Sequence, residues 1–463
     1  MNTTIYPDGL PVPRRYWSMV TIIMVIAMSV LDSTIVNVAL PSIARDFGVS
    51  AATSIWVING YQLAILIAII PLASLGEIVG YRRISQTGLI VFTIASLACA
   101  FAHTLLELTL ARAVQGLGAA GMMSVNAALV RFTYPSRMLG RAIGINALVV
   151  ATSAAVGPTL GSGVLAIADW RWLFFINVPI GIVAATIARF ALPYTERTPR
   201  PLNHAGVVLH VATFGLLIAG LQSLAHEEAK LVAMLQIAAA CVFGAMLVRH
   251  ELYRKSPLLP FDLLRIPIFS LSLATSVCSF FAQMAAFVAL PFEIQRLGRS
   301  AVETGLLMTP WPVAIAIAAP IAGRLADRYP AAILGGIGLM MLSAGLALLA
   351  AFPADGTALD LMWRMALCGL GFGFFQSPNN RTLISSAPRS RSGAAGGMLS
   401  TVRLLGQTVG AAVVAVLFRT HMESGAKIAL VASAVMALIA ALFSLSRLRT
   451  THPGETVPPP EVM

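Results

Sequence analysis

Residues 116–129 read GLGAAGMMSVNAAL, and residues 369–383 read GLGFGFFQSPNNRTL. An offset of 253 residues carries Gly116 onto Gly369, Gly118 onto Gly371, Ser124 onto Ser377 and Asn126 onto Asn379. The same register continues into the next apolar run, where Gly140, Gly144 and Gly157 meet Gly393, Gly397 and Gly410. One register held across two helices points to an internal duplication. A second pair, LGEIVGYRR (Leu75–Arg83) and LADRYP (Leu325–Pro330), aligns Glu77 with Asp327 at an offset of 250.

The medium follows from composition. The chain of 463 residues is 58% hydrophobic and 11% charged, with a mean hydropathy of +0.84. Apolar runs recur from end to end, as in a polytopic helical membrane protein. At about 20 residues per span, fourteen spans are expected, centred near residues 28, 65, 93, 116, 154, 182, 214, 239, 280, 313, 341, 370, 406 and 436. Spans 1–6 then match spans 9–14, with spans 7 and 8 inserted between them. The expected division is a tail (1–15), a first six-helix bundle (16–193), a linker with two inserted helices (194–267), a second six-helix bundle (268–447) and a tail (448–463). Two pseudo-symmetric bundles around a central cavity imply alternating access. With the N-terminus inside, most of the 31 Lys and Arg residues fall in inner loops. The positive-inside rule therefore puts both termini in the cytoplasm.

Several function classes drop out. The formal charge of +12 is scattered over short loops and makes no nucleic-acid patch. Cys99, Cys241, Cys278 and Cys368 lie in apolar runs and read as free thiols. The histidines show no metal-ligand spacing, and no cofactor or metal is expected. No nucleophile–base pair suggests an enzyme, and no GxxxxGK[ST] loop suggests ATP use. Residues 1–17 carry no signal-peptide pattern.

The chemistry centres on LDSTIVNVALP, residues 31–41. At 100° per residue, Ser29, Asp32, Ser33 and Asn37 form one polar stripe on helix 1. An ionised carboxylate facing lipid costs on the order of 3 kcal/mol, so Asp32 should face a cavity and a partner. Arg112, inside span 4, is the candidate, with helix 1 taken to end near Leu40. Gln115 and Asn126 share the face of Arg112. Asp32 and Arg112 are either a packing tie or a proton and cargo exchange site. Burial favours the neutral form of a carboxylate and a nearby Arg the ionised form, so a carboxylate between the two can load and release a proton. Inward proton flow supplies about 2.3 kcal/mol per 100 mV and about 1.4 kcal/mol per pH unit. In helix 5, Gly157, Pro158 and Gly161 allow a kink and a close approach. Arg403 and Gln407, one turn apart in helix 13, either line the cavity or pack, as do Trp311 and Gln376.

These motifs together resemble the major facilitator superfamily, and more closely its fourteen-span drug:proton antiporters of the EmrB/QacA type. LDSTIVNVALP is similar to that family's helix-1 signature. Leu75–Arg83 resembles the loop 2–3 motif, with Glu77 in place of aspartate and Ala73 in place of the leading glycine. Arg112–Gly116 matches the helix-4 motif, Gly157–Gly161 the antiporter motif, and Trp170–Gly181 the loop 5–6 signature. The resemblance implies proton-coupled export of lipophilic cations or amphiphilic drugs across a bacterial cytoplasmic membrane. The alternative is a dedicated exporter of one metabolite or antibiotic. It implies a monomer in lipid and gives no indication of an envelope partner. Glu77, Arg82, Arg83, Asp327 and Arg328 become a cytoplasmic latch that closes when the site faces outward. Helix 10 lacks the extra acid of relatives that export divalent cations. Glu293, where the family usually has an aromatic, is either a rim charge or a second acid.

Overall fold

In lipid a lone segment can satisfy its backbone only as a helix, and helices form wherever the apolar runs predict them. The computed structural model describes residues 8–135, 138–195, 201–223, 230–252, 261–326, 328–353, 356–387, 392–421 and 424–449, and no strand occurs among them. The helices are α1 (Arg14–Asp46), α2 (Ala51–Val79), α3 (Tyr81–Ala100), α4 (Leu105–Thr133), α5 (Leu139–Ile167), α6 (Trp172–Ala191) and α7 (His204–Ser223). They continue as α8 (Lys230–Leu252), α9 (Pro267–Arg296), α10 (Ala301–Leu325), α11 (Ala331–Ala350), α12 (Ala358–Ser385), α13 (Ser392–Thr420) and α14 (Gly425–Ser446). Thirteen are long and apolar enough to cross a membrane among the described residues. The expected span near residue 154 falls in a shorter apolar stretch, Thr152–Ile167, within α5.

Helix 1 corrects one expectation. It does not stop near Leu40 but runs through Pro41 to Asp46. A proline removes one donor and one turn of bonding, which neighbouring helices can support inside a membrane protein.

The duplication is visible in backbone contacts. A Cβ on Gly116 would lie 2.4 Å from the Tyr61 carbonyl oxygen, and one on Gly369 would lie 2.1 Å from that of Trp311. Gly118 abuts Gly88 and Phe92, while Gly371 abuts Gly338 and Leu342. Thus α4 packs on α2 and α3 as α12 packs on α10 and α11. The turns repeat too. Gly48 and Gly298 take φ of +63° and +84°, a conformation that favours glycine. Two residues on, Ser50 and Ser300 accept from Thr53 and Glu303 as N-caps. Packing of α1 on α5 and α6 recurs as α9 on α13 and α14.

Hydrogen bonds define two ends of the bundle. At the terminal end, Arg14 and Arg82 bond the last carbonyls of α6. At the far end, Arg45 of α1 reaches Gln295 of α9 at 3.3 Å, so the C-terminal ends of these two helices meet. The inserted α7 packs against α2 and α13, and α8 packs against α7. Leu231, Met234 and Leu235 of α8 are exposed, as expected of a helix whose solvent is lipid.

Candidate functional site

Asp32 of α1 and Arg112 of α4 form an ion pair with both side chains 1% exposed. Such a pair stays charged only if its remaining donors and acceptors are also met, and the neighbouring helices do this. Gln115 donates to the second carboxylate oxygen of Asp32 at 2.9 Å, and Asn177 of α6 donates to the same oxygen at 3.1 Å. Arg112 donates to Gln115 Oε1 at 2.6 Å and to the Val57 carbonyl at 3.2 Å. Gln115 also donates to Ser96 Oγ of α3 at 2.8 Å. The guanidinium lies 4.0 Å from the Tyr61 ring centroid and 5.5 Å from that of Phe174. Five helices therefore contribute to one closed polar network in an apolar surround.

Sequence reasoning did not find Asn177, Ser96 or Tyr61. Asn177 had a signal, an amide within the Trp170–Gly181 signature. It opens the second segment of α6 after a break at Ile176. The rest of the expected helix-1 stripe is not part of the network. Ser29 and Ser33 bond the Val25 and Val30 carbonyls, and Asn37 bonds the Ser33 carbonyl. These short polar side chains donate to carbonyls of their own helix, the buried Asn37 Oδ1 accepts no hydrogen bond among the described residues, and only Asp32 reaches across. Asn126 lies fourteen residues beyond Arg112, about 21 Å along a helix, past a break at Val125. It is outside the site. Gln376 is half-buried on α12.

Above the network the far end is shut. A Cβ on Gly157 would lie 2.0 Å from Thr34 Oγ1, and one on Gly161 would lie 3.2 Å from Ile35. These glycines bring α5 onto α1. On the other side of α5, Gly305 of α10 abuts the Pro158 carbonyl and Ser162. Thr159 and Thr309 share a 2.6 Å hydrogen bond, and Gln62 approaches Met284 Sδ at 3.6 Å. Ile35, Val36, Ala39 and Leu40 of α1 join Phe281, Met284 and Val288 of α9 in one buried cluster.

The other expected residues fall in different settings. Glu293 is buried and held by Arg296 at 2.7 and 3.0 Å. It is a locally neutralised acid near the far end. Trp311 is fully buried, with its ring 5.0 Å from Phe287, so it is core here rather than cavity wall. Arg403 is half-buried over Phe280, 5.5 Å from the ring centroid, with Gln407 one turn away. Arg82 has partners here that the sequence did not indicate. It bonds the Arg189 and Leu192 carbonyls and stacks 4.2 Å from the Tyr194 ring. The orphan carbonyls of a helix C-terminus attract such a cation. Arg83 and Arg328 are exposed and Glu77 half-buried. Asp327 lies outside the described residues.

Comparison with known proteins fits this geometry. The model of the Major Facilitator Superfamily matches residues 22–411 and 273–462. The chain belongs to the major facilitator superfamily. Within this superfamily it is 50% identical over 452 residues to the uncharacterized transporter YebQ of Escherichia coli, covering 97% of this chain and 98% of that one. It is 32% identical to the multidrug resistance protein Stp of Mycobacterium tuberculosis, over 83% of this chain and 72% of Stp. It is 29% identical to the riboflavin transporter RibZ of Clostridioides difficile, over 86% of this chain and 87% of RibZ. Among solved structures, a bacterial homologue of the human lysosomal transporter Spinster shares the superfamily's fold with a TM-score of 0.68 at 18% identity, covering 95% and 98% of the two chains. The protein is thus a multi-pass membrane transporter of a superfamily of carriers rather than enzymes.

Proposed function

We propose that the protein is a proton-coupled multidrug antiporter of the fourteen-span type, exporting lipophilic cations or amphiphilic drugs by alternating access. In this reading residues 16–193 and 268–447 are two six-helix bundles, and 194–267 carries the two inserted helices. Both termini are cytoplasmic, in a bacterial inner membrane, and the far end is the outer end. The protein acts as a monomer on small molecules and protons.

The observation that carries the reading is a buried, hydrogen-bonded Asp32–Arg112 pair directly beneath a closed outer seal. With the seal shut, Asp32 is ionised and held by Arg112. Opening the outer end wets the network and exposes Asp32 to the higher external proton activity. The protonated carboxyl no longer neutralises Arg112, and the network loosens. Closing the outer end again carries the proton inward, where it is released as the ion pair re-forms. Cargo released outward between these steps is exchanged for that proton. The cytoplasmic residues Glu77, Arg83, Asp327 and Arg328 close the inner end in the opposite state. Arg82 leaves the α6 carbonyls to join them.

The test is transport of ethidium into and out of proteoliposomes under an imposed pH gradient. The wild type should drive it uphill, and Asp32→Asn should only equilibrate it. Undiminished uphill transport by Asp32→Asn would sink the reading. Similarity to the riboflavin transporter RibZ favours a second reading, a dedicated exporter of one metabolite or antibiotic. A dedicated exporter would ignore unrelated dyes.

A further inference from the structure

Charge does not balance at the middle of the bundle. Of the 19 Asp and Glu residues, Asp32 is the one set deep within a span. It is already committed to Arg112. Arg364 of α12 has its own acid, Asp360, at 2.8 Å. Arg403 has none among the described residues, and its aromatic neighbour is Phe280.

Arg403 sits mid-helix on α13, eleven residues from Ser392 and seventeen from Thr420. Its depth follows from the internal repeat. At the offset of 250 that relates Gly48 to Gly298, Asp32 corresponds to Ala282. Phe280 is two residues from Ala282, so the guanidinium lies close to the level of the Asp32–Arg112 pair. Its helix face also carries Gly406 and Gly410, which press on the backbone of α9 at Val277 and Phe281. Arg403 therefore faces the α9–α13 seam and not open lipid. Gln407 lies one turn further along and makes no hydrogen bond among the described residues. A planar fork of five N–H donors and a free amide thus share one face, in an apolar surround where a bare cation is strongly disfavoured.

We propose that Arg403, assisted by Gln407, is the anchor for an acidic group on the cargo, and that the transported molecules include amphiphiles bearing a carboxylate, phenolate or sulfonate. This rests on the transport reading above and selects among its cargo classes. A lipophilic cation gains no partner from this charge at the α9–α13 seam, whereas an organic acid supplies the missing counter-charge. Guanidinium and carboxylate or sulfonate pair through two parallel hydrogen bonds. The Phe280 ring flanks the group and offers a flat apolar contact for the body of the cargo.

Binding of two dyes on one scaffold tests this, using the full chain in lipid nanodiscs. Fluorescein is the anionic probe and rhodamine 6G the cationic one. Wild type should bind fluorescein saturably and more tightly than rhodamine 6G. Arg403→Gln should weaken fluorescein at least tenfold and leave rhodamine 6G equal or tighter. Arg403→Lys, which keeps the charge but not the two-pronged fork, should bind fluorescein with an affinity between those of wild type and Arg403→Gln and shows that the site tolerates substitution. Absence of saturable fluorescein binding to wild type, or equal fluorescein affinity in Arg403→Gln, overturns the proposal. A parallel pH-gradient transport assay separates the two ideas. Arg403-dependent binding without proton-driven movement would refute the antiport reading and leave the anion site standing.

Discussion

Removing either member of the Asp32–Arg112 pair should have unequal consequences. In Asp32→Asn, Arg112 keeps Gln115 Oε1 at 2.6 Å, the Val57 carbonyl at 3.2 Å and the Tyr61 ring at 4.0 Å, but its charge is no longer matched. Guanidinium cannot shed its proton, so this variant should lose about 3–5 kcal/mol, the usual cost of breaking a buried pair. In Arg112→Gln, Asp32 keeps the donors Gln115 and Asn177 at 2.9 and 3.1 Å. The loss should be smaller, about 2 kcal/mol. The double variant buries only amides and should be less damaged than the sum of the singles. The coupling energy should be about 3 kcal/mol, the upper range for contacting residues. The assay is unfolding in mixed micelles by SDS titration, followed by far-UV circular dichroism. Additivity within about 0.5 kcal/mol, or an Arg112→Gln variant more damaged than Asp32→Asn, would refute the description of this network.

Three further outcomes follow from the packing. Gly157→Val should pry α5 from α1, because even a Cβ would lie 2.0 Å from Thr34 Oγ1. At about 1–3 kcal/mol of overpacking, a cysteine placed at Ile35, which packs on Gly161 across the α1–α5 seam, should label at least fivefold faster in a Cys241→Ala background. Gly116→Ala and Gly369→Ala each place a methyl within 2.4 and 2.1 Å of a backbone oxygen. Both should lower thermal stability to a similar degree, and a clear loss in only one would contradict the equivalence of the two packings. Asn177→Leu removes a donor to Asp32. It should cost about 1–2 kcal/mol and lower the number of cargo molecules moved per proton, read as dye efflux against vesicle alkalinisation.

The helices and their repeat were legible because lipid allows one backbone solution and because glycine marks close approach. The ion pair was legible because Asp32 and Arg112 stood out as charges within spans. Asn177 was not, because its contact with Asp32 joins residues 145 apart in sequence and an amide at a helix start looks like a cap. The partners Arg82 has here were not legible, because carbonyl groups at a helix end leave no mark in the sequence, yet bind a guanidinium as an acid would. The repeat also shows what was not duplicated. With an offset of 250 for the first three helices and 253 for the next three, Asp32, Tyr61 and Ser96 correspond to Ala282, Trp311 and Leu346. Arg112, Gln115 and Asn177 correspond to Met365, Cys368 and Leu430. All six counterparts lie in one buried apolar cluster. One scaffold thus holds a charge network in its first copy and a hydrophobic plug in its second. In the reverse direction, Arg403 corresponds to Val150. In the proposed reading the two copies therefore carry different chemistry, protons in the first and cargo charge in the second.

That separation has an electrical consequence that can be measured without knowing the natural cargo. Exchange of one outgoing monovalent cation for one incoming proton moves no net charge, so membrane potential adds nothing to the driving force. Exchange of one outgoing monovalent anion for one incoming proton moves two positive charges inward. Potential then contributes about 4.6 kcal/mol per 100 mV, twice the value for a single charge. Naphthalene-1-sulfonate is a suitable monovalent probe, and the potential can be imposed with a potassium gradient and valinomycin at equal pH on both sides. An imposed potential, negative on the cytoplasmic face, should drive its export by the wild type. Arg403→Gln should lose this movement because the acid is no longer held, and Asp32→Asn should lose its coupling to protons. Export of naphthalene-1-sulfonate that ignores the potential would refute the proposed pairing of one buried carboxylate for the proton with one arginine, lacking an acid partner among the described residues, for the cargo.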